Sequence, residues 1–240
     1  MDTQPPELSQ MEQRASETAL KINRAFTALP LAYKYYAMRE DYALVFAGLK
    51  AGTDYAFLGD TYTPAEFEIF KSAFTGLGLR VTEPDTFHYN TGDVMMLGNI
   101  YNPKTLEEMT RNSQLVLPYN QSETLEEWIK RCQTAGKLNA AIDGKVYSFP
   151  ESAIRDYLAS HDNQPQSASA DVRQKTTAGT GGEAYSFFEP AQEDVIKREQ
   201  EKKVFLAALK ANPTYKTLNQ NPILEQSKEL FHSRLPAWRR

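Results

Sequence analysis

Between His161 and Glu183 the chain offers almost nothing that a core could bury. The run NQPQSASADVRQKTTAGTGGE consists mainly of Ser, Thr, Gln, Gly and other small or polar residues. A stretch of that kind gains too little apolar burial to offset the entropy lost on ordering it. A flexible polar linker is therefore expected over 161–183. It separates an α+β core domain at 8–160 from a helical C-terminal extension at 184–240, and 1–7 is expected to be disordered.

The core domain reads as a mixed sheet with hairpins, packed by several helices. Leu8, Met11, Ala15, Ala19, Ile22, Phe26 and Leu29 recur at steps of three and four, which is one stripe of a helix that Pro30 closes. Residues 31–40 fit helix or strand equally, whereas Tyr42–Ala47 and Tyr55–Leu58 favour strands. Thr63-Pro64 and Glu66 mark the start of a helix whose Phe67, Phe70 and Phe74 share one face. A strand is expected at Leu79–Thr82. Thr86–Tyr89 and Asp93–Leu97 flank Asn90-Thr91-Gly92 as a hairpin would. Asn102-Pro103 opens another helix, Leu115–Leu117 suggests a short strand, and Ser122 is placed to cap the helix carrying Leu125, Trp128, Ile129 and Cys132. Ala140–Ile142 and Lys145–Phe149 flank Asp143-Gly144, a second hairpin signal, before a helix that starts at Pro150.

Beyond the linker, Tyr185, Phe187 and Phe188 precede Pro190. The charged helix that follows sets Glu193 against Lys197 and Glu199 against Lys203 at the supportive i,i+4 spacing. A last helix begins at Pro222. Apolar positions Phe205, Leu206, Leu209, Ile223, Leu224, Leu230 and Phe231, with Trp238, need a surface to cover them and are the expected partner-binding residues.

The chemistry-bearing residues are sparse. The 240 residues carry 27 basic and 31 acidic side chains, a net charge of −4, which argues against a non-specific nucleic-acid binder. Cys132 is the single cysteine, so neither an intramolecular disulfide nor a multi-cysteine metal site can form, and a reducing, cytoplasmic setting fits. The polar start MDTQPPELSQ is unlike a signal peptide, and no apolar run approaches the roughly 20 residues that span a bilayer. Phosphate-loop, dinucleotide, zincin and nucleophile-elbow motifs are missing. His88, His161 and His232 show no paired ligand spacing, so no metal and no cofactor is expected. If there is acid/base chemistry, it would use Asp54 and Asp60, which flank the Tyr55–Leu58 strand, together with His88.

The segment AGKLNAAIDGKVYSFPESAIRDYL resembles the second half of excisionase- or MerR-type winged-helix modules through Gly136, Lys137, Leu138, Gly144, Tyr147, Phe149, Ile154 and Leu158. The resemblance implies a two-strand wing with Lys137 and Lys145 facing nucleic acid, although no recognition-helix pattern precedes Lys137. The same segment is similar to uncharacterised proteins with a G-x-x-x-G-Y-P turn opening a helix; there Ser148 stands where the second glycine would be. Together these features lead to an expectation of a non-catalytic interaction protein whose partner is another protein or a second copy of itself. An acid/base enzyme and a DNA-binding protein are the alternatives.

Overall fold

The computed structural model describes residues 6–58, 63–88, 94–161 and 193–233. The elements run α1 (Pro6–Ala28), a 3-10 turn (Leu31–Tyr33), α2 (Lys34–Met38), α3 (Glu40–Phe46), β1 (Gly52–Leu58), α4 (Pro64–Thr75), β2 (Arg80–Val81), β3 (Asp85–His88), β4 (Val94–Tyr101), α5 (Pro103–Thr110), α6 (Leu125–Thr134), α7 (Asn139–Val146), α8 (Glu151–His161), α9 (Glu193–Ala211), α10 (Pro213–Asn219) and α11 (Pro222–Ser233). This is an α+β fold with a helical C-terminal part, and every described strand pairing is antiparallel. Asp60, the Asn90-Thr91-Gly92 turn, most of the 161–183 linker, the Tyr185–Phe188 cluster, Trp238 and the start of the chain up to Pro5 lie outside the described residues.

Two compact units divide the chain in a way the linker does not suggest. One comprises Met1–Thr105 with Lys202–Arg240, the other Leu106–Glu201. In the first, the stripe Ala15, Ala19, Ile22 and Phe26 of α1 is buried as its spacing predicts. It shares a core with Phe67, Phe70 and Phe74 of α4 and with Tyr36, Tyr42, Tyr55 and Phe57. Phe70 is the hub, with ring centroids 5.1 Å from Phe57 and 4.9 Å from Phe74. Each buried phenylalanine contributes about 2 kcal/mol from its area alone. Thr63 caps α4, its hydroxyl accepting from Glu66 N–H at 3.3 Å.

The C-terminal helices belong to this same core. Phe205 and Leu209 of α9, Tyr215 and Leu218 of α10 and Leu224 of α11 are buried in it. Ser227 Oγ accepts from Tyr35 N–H at 2.8 Å, and α10 and α11 pack on α1 and α2.

The strand expected at Tyr42–Ala47 is instead helix α3. All of Tyr42 to Phe46 is buried, and a continuous apolar run buried on every side has no period to separate strand from helix. Glu40 and Asp41 in its first turn suit the helix dipole.

In the second unit α6, α7 and α8 enclose Leu125, Trp128, Cys132, Ile142 and Ile154. The cap of α6 is Thr124, two residues beyond the expected Ser122, and it forms a full capping box with Glu127. Leu115–Leu117 forms no strand; the Leu117 carbonyl accepts from Trp128 Nε1 at 2.8 Å. The hairpin expected around Asp143-Gly144 is helix α7. Gly144 is there for space, since a Cβ would lie 2.8 Å from Ile154 Cδ1. The positive φ falls at Ser148, at +69°. Phe149 N–H bonds Gly144 O and Ser148 N–H bonds Lys145 O, the two bonds of a Schellman cap with serine in the position glycine prefers.

Candidate interaction surface

The sheet of the first unit is built on β4, which pairs with β1 on one side and with β2 and β3 on the other. Tyr55 stands opposite Gly98, and its ring crosses β4 where the glycine leaves room. Its hydroxyl donates to Thr82 O, just past β2, at 2.6 Å. A Cβ at Gly98 would lie 2.4 Å from that hydroxyl oxygen.

The two edges of the sheet differ. Along β1, Tyr42 Oη donates to Asp54 O at 3.0 Å. Tyr36 Oη donates to Ala56 O and also accepts from Ala56 N–H. These bonds identify Asp54 and Ala56 as the residues whose backbone points away from β4, and they close much of that edge with buried phenols. Burial raises the pKa of both tyrosines, so the hydroxyls remain donors. Arg39 lies over the Tyr42 ring, 5.4 Å from its centroid, and pairs with Asp41 at 3.5 Å. Asp41 is in turn 3.0 Å from Lys50. Burial pushes the Asp41 carboxyl up, but Lys50 and Arg39 outweigh it and hold the pKa below its ordinary value.

Backbone direction alternates along each strand, so the β1 edge fixes the other one. Asp54 faces Asn99 and Ala56 faces Leu97, which makes Asn99, Leu97 and Met95 the β4 residues that bond toward β2 and β3. Thr82 N–H donating to Asn99 O at 2.9 Å agrees. Asp85 and Phe87, opposite Leu97 and Met95, therefore bond inward, and Thr86 and His88 turn their N–H and C=O groups outward. All four residues of β3 are exposed, and among the described residues no hydrogen bond reaches those outward groups. This is the open edge of the sheet.

Asp54 and His88 do not form a site together. They pair with Asn99 and Val94 of β4, about 17 Å apart along the strand. Among the described residues no group of three or more metal-capable side chains gathers. A shallow groove of about 380 Å³ in this unit is lined by Ala28, Glu68, Ile69, Ser72 and Ala73, and includes neither residue. In the second unit Cys132 is buried and its thiol pKa is raised by that burial.

The implied wing is absent, because its residues form α7. Lys145 is 4% exposed and bonds Glu151 at 3.0 Å, while Lys137 donates to Gln114 O at 3.2 Å. Partial burial pushes the Glu151 carboxyl up. Hydrogen bonds from Ser113, Lys145, Gln114 N–H and Arg155 overcome this and bring it from 4.5 to about 2.

Of the residues expected to bind a partner, Phe205, Leu209 and Leu224 are spent in the core of the first unit, and Leu206 and Phe231 pack against it half-buried. Leu230 is half-buried, and Ile223 alone among those described is largely exposed, at 41%. The hairpin signal includes the segment of His88, a residue the sequence otherwise offers for acid/base chemistry alone. It could not show which backbone groups point outward, because that depends on the side of β4 that β3 joins. No family model, no curated protein and no solved structure matches the chain.

Proposed function

We propose that the chain is a non-catalytic protein-interaction module, and that it takes an extended strand along the β3 edge. One observation carries the reading: phenols bind the backbone of one sheet edge, while the other presents Thr86 and His88 outward with every residue of β3 exposed. Strand addition draws its affinity from such backbone groups and its specificity from the alternate side chains. The buried lone Cys132 suits a reducing compartment, and the cytoplasm is the setting proposed.

Proline tests this at a position that spares the fold. Thr86 N–H makes no ladder bond, so Thr86→Pro removes an outward donor while β3–β4 pairing survives; Phe87→Pro would break an inward bond. Partners captured by the wild-type chain are reconstituted from purified components and compared with Thr86→Pro. Loss of binding with an unchanged melting curve is expected. Equal binding by both proteins overturns the role of the edge.

A further inference from the structure

We infer that the β3 edge pairs with the β3 edge of a second copy of this chain, antiparallel and about a two-fold axis through Phe87. This rests on the interaction reading above and names the partner. Within β3 the outward backbone groups belong to Thr86 and His88, which stand one residue either side of Phe87. Two residues facing each other across an antiparallel pair can exchange both of their backbone hydrogen bonds. Setting Thr86 against His88 of the second copy satisfies both residues. The two-fold axis repeats the exchange, and all the outward groups of both β3 strands are used.

Other registers do less. A shift by one residue sets outward groups against a residue that bonds inward. A shift by two leaves one exchanging pair, Thr86 or His88 against its own counterpart. The best register also sets Phe87 opposite itself at a non-hydrogen-bonded position, where Cα atoms come within about 4.5 Å and side chains are closest. Phe87 is 36% exposed, and an aromatic cross-strand pair would cover it. No like charges face each other, since Thr86 meets His88 and Asp85 falls outside both pairs. An unrelated peptide could use the same backbone groups, and cross-linking of Phe87→Cys separates the two.

The strand is short, so the interface falls below the roughly 1,000 Å² of stable complexes, and a dissociation constant on the order of 10⁻⁴ M is expected. Sedimentation velocity of the full chain from about 10 µM to about 1 mM, the range that brackets this constant, should show a reversible dimer. Thr86→Pro and His88→Pro should sediment as monomers with unchanged circular dichroism. Phe87→Cys should oxidise to a covalent dimer while Thr86→Cys does not, because only the former brings two Cα atoms within the roughly 4.4–6.8 Å of a disulfide. Cys132 is buried and common to both variants.

A wild-type chain that stays monomeric throughout, or equal cross-linking of the two cysteine variants, overturns the self-pairing. If the wild type is monomeric yet binds another protein that Thr86→Pro loses, self-pairing fails and the interaction reading stands. If Thr86→Pro keeps every partner and every dimer, both fail.

Discussion

Glu151 should be the most consequential acidic residue of the second unit, and Glu151→Ala should show it. The carboxylate bonds Lys145 and Arg155, each at 3.0 Å, and Gln114 N–H at 3.1 Å. A pKa lowered from 4.5 to about 2 would be worth about 3 kcal/mol at about 1.4 kcal/mol per tenfold change. A quarter of the side chain remains exposed, and solvent screening reduces that to about 1.5–2 kcal/mol. The variant also leaves Lys145 buried without its carboxylate, which adds desolvation that nothing offsets. A total loss of about 3 kcal/mol is expected from these contributions.

The sign follows from the depressed pKa. The contribution is fully present above about pH 4.5 and is lost as pH falls toward about 2. Urea unfolding followed through buried Trp128, in a Trp238→Phe background, should give a wild-type stability that declines across that window. The variant should be weaker at pH 7, with a flatter acid limb. Lys145→Met combined with Glu151→Ala should recover part of the loss, because the lone buried cation is gone. A loss under about 0.5 kcal/mol at pH 7, within the range of an ordinary surface substitution, together with an unchanged acid limb, would refute the clamp.

Three further substitutions probe the packing. Gly98→Ala puts a methyl group where the Tyr55 ring lies and should cost about 2–3 kcal/mol by chemical denaturation; a cost near zero would mean the ring moves aside without penalty. Tyr42→Phe removes the donor to Asp54 O and should cost about 1–2 kcal/mol, with faster hydrogen exchange along β1 as the local readout and unchanged exchange as the contrary result. At Ser148, φ of +69° should make glycine well tolerated and valine costly by at least about 1–2 kcal/mol, so thermal melts that rank valine level with glycine would contradict the strained cap.

The readable parts of the sequence were those whose signals are local and one-sided. The α1 stripe, the Thr63 cap and the three phenylalanines of α4 each declare a single buried face, and they fold as their spacing predicts. The pairing of β3 with β4 was legible from a different local signal, the Asn90-Thr91-Gly92 turn sequence, since β3 itself buries no face. Helix α3 was not legible, because Tyr42 to Phe46 is buried on all sides. Asp143-Gly144 was misleading, because glycine there serves the approach of Ile154 rather than a turn. As for the surface, the sequence pointed to His88 only as an acid/base candidate and to no residue of β3 as a partner contact. The outward direction of Thr86 and His88 is a property of the assembled ladder, and so is the burial of Phe205 and Leu209 within the first unit.

The ring of Tyr55 over Gly98 has a bearing on how freely this chain could vary. β1 and β4 are neighbours in the sheet, yet α4, β2 and β3 come between them in sequence, so no tight turn can fix their alignment. The tyrosine does so instead, fitting its one glycine gap and fastening to the backbone beyond β2. A slip by one residue would face the ring with a side chain and turn it to the wrong side of the sheet. The register of β1 on β4 is therefore set by this contact and not by the length of the chain between them. This pairing of one large and one absent side chain would have to change together, if it changed at all.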